Sequence, residues 1–229
     1  MKYTNESGRS MVEMLGVLAI IGVLSVGGIA GYSKAMNKFK INKTTDQVTM
    51  LVANIRTLYS SQGNYEGLNN GTAVKFGVVP SDMISTGSGD TQTLKNAFAG
   101  AVEITAVPAR KGNSNNEAFV VAYDGLTEEA CAAMLTGDWG SGQASGLIGI
   151  AGGGATGGTE IDGVSGTAGV GLLYTDDIDA AAAIADNAAE GTIIIAAPGG
   201  ATSVPVTVAQ AVNACAGGNS GNAVAWKYY

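Results

Sequence analysis

Residues 11–32 read MVEMLGVLAIIGVLSVGGIAGY, and this stretch decides which kind of fold the chain can have. Its last nineteen residues carry no charge, and a helix of about 20 apolar residues is long enough to cross a bilayer. A secretory signal peptide has a shorter apolar region that ends at a small-residue cleavage site. Here the apolar run continues past Val26, Gly27 and Gly28, the best candidate for such a site. The stretch therefore predicts a membrane helix that stays on the protein.

The composition of the whole chain excludes several classes of function. Its 229 residues include no histidine, which excludes Ser-His-Asp triads, Cys-His dyads and His-ligated metal sites. The formal net charge is −7, and an acidic surface repels phosphate backbones, so we expect no nucleic-acid partner. Carboxylates cluster near the start of predicted helices, where they complement the helix dipole, so no catalytic residue is predicted.

Glycine is concentrated in residues 137–171, which hold fourteen of the 35 glycines. Neither a GxxxxGK[ST] pattern nor a clean GxGxxG between a strand and a helix occurs there, so phosphate binding is not indicated. We expect this stretch to be a pliable surface loop or an additional sheet edge. No cofactor is predicted.

Glu13 is the charged exception inside the apolar stretch. A carboxylate in hydrocarbon costs about 2.5–3.5 kcal/mol, and less near the interface. In one interpretation Glu13 simply lies at the level of the lipid headgroups. In the other, a cut after Gly8 makes Glu13 the fifth residue of the mature protein. The new α-amino group on Arg9 is then a mobile cation at the same depth.

This arrangement resembles the signature of type IV prepilins, in which a short polar leader ends in Gly and Glu follows at the fifth mature position. In that family a prepilin peptidase cuts after the Gly and methylates the new amine. The Glu pairs with the N-terminal amine of a neighbouring subunit during filament assembly. The resemblance thus implies cleavage between Gly8 and Arg9, N-methylation of Arg9, and an assembly role for Glu13. Arg9 departs from the family pattern, because the first mature residue is normally apolar.

Glycines also interrupt the apolar stretch, and each interior glycine costs a helix about 0.5–1 kcal/mol. Gly27 and Gly31 form a small-xxx-small pair that lets helices approach closely in a membrane. Together with Gly22 and Gly28 they predict a helix that packs on copies of itself and bends near residues 27–31. A membrane anchor that merely tolerates these glycines is the alternative.

Beyond the apolar stretch the pattern becomes amphipathic. Val48, Leu51/Val52, Ile55 and Leu58/Tyr59 recur at helical spacing, and no proline interrupts residues 9–62. Gly63 then ends the run. We therefore expect one helix of about 50 residues whose second half packs on a sheet.

The remainder of the chain reads as short strands and helices separated by loops. Residues 63–72 are expected to form a loop. Strands are predicted at 101–107, 117–123, 147–151, 170–174, 192–197 and 223–228. Helices are predicted at 81–85, 128–135, 176–188 and 206–215.

Two cysteines, Cys131 and Cys215, both lie in this body. An even count in an exported domain suggests one disulfide, although two buried free thiols are an alternative and a metal site without histidine is not favoured. The lysines at 34, 38, 40 and 43 would remain cytoplasmic by the positive-inside rule. We give more weight to the leader and the cysteines, which indicate an exported body.

Residues 119–131, FVVAYDGLTEEAC, resemble the matching stretch of type IVb pilins of the toxin-coregulated kind. Gly63-Asn64-Tyr65 and the segment around Cys215 do so too. The resemblance implies an α+β fold, with a long N-terminal helix, half embedded in the membrane, packed on an antiparallel sheet. It also implies a disulfide-bounded C-terminal region that is exposed on a filament. The leader is shorter than in most type IVb pilins, so type IVa remains open.

The expected organisation has four parts: a leader at 1–8, a transmembrane and assembly half-helix at 9–32, an amphipathic half-helix at 33–62, and a head at 63–229 with a disulfide-bounded region at 131–215. The function implied is that of a pilus subunit rather than an enzyme. Its partners would be other copies of itself, a prepilin peptidase and the assembly machinery. The protein would cross the bacterial inner membrane once, with a periplasmic head, and then enter an extracellular pilus.

Two other functions remain open. One is a pseudopilin of a secretion system, and the other is a membrane-anchored exported enzyme or binding protein. The resemblance does not choose among adhesion, aggregation, motility, DNA transfer and secretion as the filament's role.

Overall fold

The computed structural model describes residues 11–85, 87, 92–109, 114–140, 145–157, 160–161, 192–196, 206–215 and 221–229. Gly8, Arg9, the predicted strand at 170–174 and the predicted helix at 176–188 lie outside these ranges. The chain divides into two compact units, the first ending at Lys40 and the second running from Ile41 to Tyr229.

The first helix, α1, extends from Met11 to Tyr59 and confirms the long helix predicted from the sequence. Its second half contributes one buried stripe, which consists of Thr44, Gln47, Val48, Leu51, Val52, Ile55 and Tyr59. Leu58 is only partly buried at the margin of this stripe. The helix ends three residues before the predicted limit of 62.

Within the described residues the head contains an antiparallel sheet. Its strands are β1 (Leu94–Lys95), β2 (Ala101–Val107), β3 (Ala118–Leu126), β4 (Leu147–Gly157), β5 (Glu160–Ile161), β6 (Thr192–Ala196) and β7 (Asn222–Tyr228). The strand order is β1-β2-β3-β7-β4, and β4 also pairs with β5 and β6. Every pairing is antiparallel. The predicted fold class, a long helix on an antiparallel sheet, is confirmed.

Strand alternation gives the sheet two different faces. Phe119, Tyr123 and Trp226 project from one face into a core shared with the second half of α1. That core also includes side chains from two short helices, α3 (Glu128–Leu135) and α4 (Val208–Ala214). The other face is buried and carries small apolar side chains, namely Ala118, Val120, Ala122, Ala223 and Ala225.

Two expectations about loops are wrong. A helix, α2 (Asn70–Lys75), forms where a loop was expected, because the Asn69 side chain accepts a hydrogen bond from the Thr72 N–H and caps it. The glycine-rich stretch was expected to be a surface loop or a sheet edge. Instead β4, which begins with the strand predicted at 147–151, continues through it to Gly157 and pairs with β6 on one side and β7 on the other.

Gly152 explains why a glycine-rich segment can form this interior strand. A Cβ added at Gly152 would lie 2.6 Å from Leu135 Cδ2, so the absence of a side chain lets α3 lie close to β4. Other differences from the sequence are smaller. The helix expected at 81–85 is a 3-10 turn at Ser81–Met83, and the two-residue strands β1 and β5 were not predicted.

Lys227 lies on the small-residue face of β7 and is fully buried. Burial lowers the pKa of its ammonium from 10.5 to about 8, because the charged form loses hydration. In the unfolded chain the same group titrates near its ordinary pKa.

We predict that Gly152→Ala lowers the free energy of unfolding by about 1–3 kcal/mol, because the new methyl group overlaps Leu135. The change should appear in urea unfolding of the full chain in detergent. Gly63→Ala is the matched control, since a Cβ there meets nothing within 4 Å. Equal stability of the two variants would contradict the close contact between α3 and β4.

We also predict a pH dependence that comes from Lys227. Between pH 8 and 10.5 the unfolded chain binds more protons at this site than the folded protein does, so stability rises with pH there. The rise should approach about 3 kcal/mol and should be absent in Lys227→Met. Urea unfolding across this range tests it, with Lys95→Met, an exposed lysine on β1, as control. Parallel pH profiles for wild type and Lys227→Met would rule it out.

Candidate assembly helix and disulfide-bounded region

The first half of α1 is an exposed apolar surface. It includes a window of eighteen residues with a mean hydropathy of 2.2, none of which is buried, so by length and composition it could cross a membrane. Met11 is 82% exposed and Ile29 is 70% exposed. Glu13 lies in the first turn of α1 as the acidic residue of that turn. An apolar surface of this length requires lipid or protein to cover it.

The glycines of this segment are not needed for packing within the described chain. A Cβ built at Gly22, Gly27, Gly28 or Gly31 meets nothing within 4 Å. In the head, by contrast, a Cβ built at Gly152 would overlap the Leu135 side chain. The helix glycines therefore leave room on a surface that the chain itself does not use.

In the head, Cys131 and Cys215 form a disulfide, as the cysteine count suggested. Their Cα atoms lie 5.9 Å apart, and 84 positions of sequence separate them. Thr127 caps α3 by accepting from the Ala130 N–H, and Thr207 caps α4 through a capping box. The bond thus joins two short helices whose first turns are fixed by their own sequences.

Trp139, just after α3, connects the disulfide-bounded region to the sheet. Its Nε1–H donates to the Met134 carbonyl at 2.6 Å, and its ring lies edge-on to Trp226, with centroids 4.8 Å apart. Tyr123 makes a second edge-on contact with Trp226, with ring centroids 5.9 Å apart. Aromatic pairs of this geometry add about 0.5–1.5 kcal/mol each beyond their buried area.

Arg56, in the last turn of α1, holds the start of β4 against the long helix. Its Nη1 donates to the Ser145 carbonyl at 2.7 Å. Gly146 has φ +70°, and a Cβ there would collide with the guanidinium. Burial raises the pKa of Tyr228 to about 12, and the nearby Arg56 charge opposes that rise. Arg56 therefore organises a contact between residues 89 positions apart.

Lys43 and Asp82 connect α1 to the 3-10 turn on its other flank. Lys43 Nζ lies 2.6 Å from Asp82 Oδ2, and Gln47 Nε2 donates to the same oxygen at 3.2 Å. The hydrogen bond from Lys43 is the main reason that the pKa of Asp82 is below its ordinary value. Lys43, one of the four lysines after the apolar stretch, therefore attaches α1 to the 3-10 turn of the head.

Comparisons with known proteins place the chain in a family. The family model described as PilS N terminal matches residues 38–196. Toxin coregulated pilin from Vibrio cholerae is 27% identical over 136 residues, which is 59% of each chain, so this chain spans about three fifths of the curated relatives it matches. The chain belongs to the PilS N-terminal family, and the predicted resemblance to type IVb pilins is confirmed.

Two solved structures are also similar. The crystal structure of TcpA, a type IV pilin from Vibrio cholerae El Tor biotype, matches 83% of this chain and 99% of its own, with 21% identity and a TM-score of 0.49. A type IVb pilin from Salmonella typhi matches 82% and 97%, with 16% identity and a TM-score of 0.47. The curated relatives are pilins, and those matches do not favour the pseudopilin or the enzyme alternative.

The structure places the predicted site residues in two groups. Glu13 and the four glycines lie along one exposed segment of α1, and Cys131 and Cys215 are bonded in the head. Gly8 and Arg9 lie outside the described residues, so their roles remain predictions. Sequence reasoning missed Arg56, Trp139 and Gly152, because their roles depend on contacts with distant parts of the chain.

We predict that replacing both cysteines with serine lowers the free energy of unfolding by about 2–4 kcal/mol, because the closed loop restricts the unfolded chain. Thermal and urea unfolding in detergent measure the loss. Ala133→Ser, an exposed change on α3, is the control and should be close to neutral. A double serine variant as stable as this control would show that the disulfide does not support the head.

Proposed function

We propose that the chain is the structural subunit of a type IV pilus of the type IVb kind, and not an enzyme. In this proposal a prepilin peptidase removes residues 1–8, and the subunits polymerise through the apolar half of α1. Membership of the PilS N-terminal family and the match to toxin coregulated pilin support it. The observation that carries it is the exposed apolar half-helix, which has a single carboxylate, Glu13, among residues 11–32.

Glu13 would set the register between subunits. After a cut at Gly8, the α-amino group of Arg9 in one subunit and the Glu13 carboxylate of its neighbour lie at similar depths in the apolar layer. Their attraction is strong there because the surroundings have a low dielectric constant. An unpaired Glu13 in the same layer would be destabilised, because its carboxylate would lose its hydration and gain no opposite charge. The pairing therefore favours one axial offset between neighbouring helices.

The spacing of the glycines supports a defined packing face. Eighteen residues separate Glu13 from Gly31, which is five turns at 3.6 residues per turn. Gly27 lies within the same quarter of the helix surface, whereas Gly22 lies opposite. Small residues on the same face of the helix as Glu13 let a neighbouring backbone approach closely. We propose that Gly27 and Gly31 allow close packing, and that the adjacent Gly27-Gly28 pair allows the helix to bend locally. Gly22 would allow close packing on the opposite side of the helix.

The location follows from the same features. Before assembly, residues 9–32 would cross the inner membrane once, the second half of α1 (33–62) would emerge, and the head (63–229) would be periplasmic. A disulfide persists in that oxidising compartment. The assembly machinery would then move the apolar half-helix from lipid into a bundle of helices, where its surface stays away from water. Contacts between different surfaces of identical subunits that do not close into a ring would produce a filament on the cell exterior.

We predict that Glu13→Gln abolishes filament assembly, because it removes the charge but keeps the size of the side chain. Filaments sheared from cells and counted by electron microscopy, with protein measured in the same fraction, test this. The thermal unfolding of the head should not change, since Glu13 lies outside the unit that contains it.

Asp46→Asn is the matched control, because it removes an exposed carboxylate from the second half of the same helix. It should assemble at close to normal yield. Normal filament yield from Glu13→Gln would contradict the proposed role of this carboxylate.

A further inference from the structure

The head contains a pocket of about 240 Å³ that none of the predicted roles uses. Its apolar and aromatic walls come from Val52, Ala53, Trp139 and Tyr228. Polar groups at the pocket come from Thr49, Arg56, Asp138 and Ser145. A concave site lined by Trp, Tyr and Arg has the composition of a pocket that receives an aromatic anchor from a protein partner.

A candidate anchor lies on the same chain. Phe76, the residue that ends α2, is 63% exposed and is the most exposed aromatic side chain among the described residues of the second unit. The segment that presents it is fixed at both ends. Asn70 donates to the Val102 carbonyl and accepts from the Ile104 N–H on β2, and Asn54 of α1 donates to the Val78 carbonyl. Little conformational freedom is therefore lost when Phe76 is buried by a partner.

The pocket and Phe76 lie on opposite flanks of the second half of α1. Gln47 and Asn54 of α1 contact the 3-10 turn and the segment after α2. Thr49, Val52 and Arg56 line the pocket. At 100° per residue these two sets of positions are about half a turn apart. Phe76 therefore cannot reach the pocket of its own head, but it can reach that of a neighbour.

We infer that the pocket receives Phe76 of a second copy of this chain, which makes it a head-to-head contact within the filament. This inference rests on the proposed function, because only a polymer brings two heads together in this way. A projection on one flank and its receptor on the other give a heterologous contact that repeats without closing.

Charge and chemistry favour this occupant. Lys75, the exposed basic residue next to Phe76, would approach the exposed carboxylate of Asp138 at the pocket of the neighbouring head. The ring of Phe76 would meet the rings of Trp139 and Tyr228 and lie beside the Arg56 guanidinium. Aromatic contacts and a cation over a ring face are both favourable in a site that excludes water.

The first test measures assembly of full-length protein in cells. Phe76→Ala should reduce the yield of sheared filaments about tenfold, and Phe76→Tyr should restore it, because an aromatic anchor contributes at least this much to a contact. Phe76 is mostly exposed, so thermal unfolding of the head should be unchanged by either substitution. Normal filament yield from Phe76→Ala would overturn the inference.

The second test measures proximity directly and keeps Phe76 in place. The native cysteines are bonded to each other and the described residues contain no free thiol, so Lys75→Cys with Asp138→Cys provides two reactive sites. A short bismaleimide applied to filaments should give a ladder of dimers, trimers and longer chains. Lys75→Cys with Lys95→Cys is the control and should give no ladder, because Lys95 lies on β1, at the end of the sheet away from the pocket.

Filaments of the Lys75→Cys, Asp138→Cys variant that form without a ladder would overturn the contact but leave the proposed function standing. Absence of filaments from the unsubstituted protein would overturn the function and this inference together.

Discussion

The exposed apolar half of α1 is the constraint on which the rest of the account depends. Water cannot remain the environment of a surface this long and this apolar, and the head that follows is too polar to enter a membrane. The molecule therefore needs one environment for residues 11–32 and another for the head. In the proposed function, lipid would meet the first need before assembly, and copies of the same helix would meet it afterwards. Glu13 would distinguish these two environments, since its carboxylate would gain a cationic partner only in the second.

The head is built to hold the second half of α1 firmly. Buried side chains of that half pack on aromatic residues of β3 and β7, while Arg56 and Lys43 attach it at opposite flanks. The disulfide then joins α3 to the segment after α4 at the same side of the sheet. A helix attached in this way can transmit load from the apolar half to the head, which is what a filament subunit has to do.

Local pattern was enough to predict part of this structure. The stripe from Val48 to Tyr59 follows the helical period, α3 begins at its capping threonine, and β2 is a run of β-branched and small residues between loops. These features depend on neighbours within a few residues. The disulfide could be suggested because the chain offers two cysteines and one way to pair them.

The remaining features depend on distant contacts, which a local pattern does not contain. The strand predicted at 147–151 is the first part of β4, but glycine is disfavoured in strands, so its continuation to Gly157 was not predicted. Leu135 fills the space beside Gly152 in that continuation. Helix α2 is six residues long and is supported by Asn70 on the edge of β2. The local sequence around Arg56 does not reveal its role, because its partner Ser145 is 89 positions away.

The most direct test of the central claim is the intact mass of the protein in filaments sheared from the native cell surface. A processed, exported subunit should have lost residues 1–8, should carry one added methyl group on Arg9, and should be two hydrogens lighter through the Cys131–Cys215 bond. A full-length, reduced chain found only in the membrane fraction would contradict the account, because the apolar half-helix would then be a simple anchor.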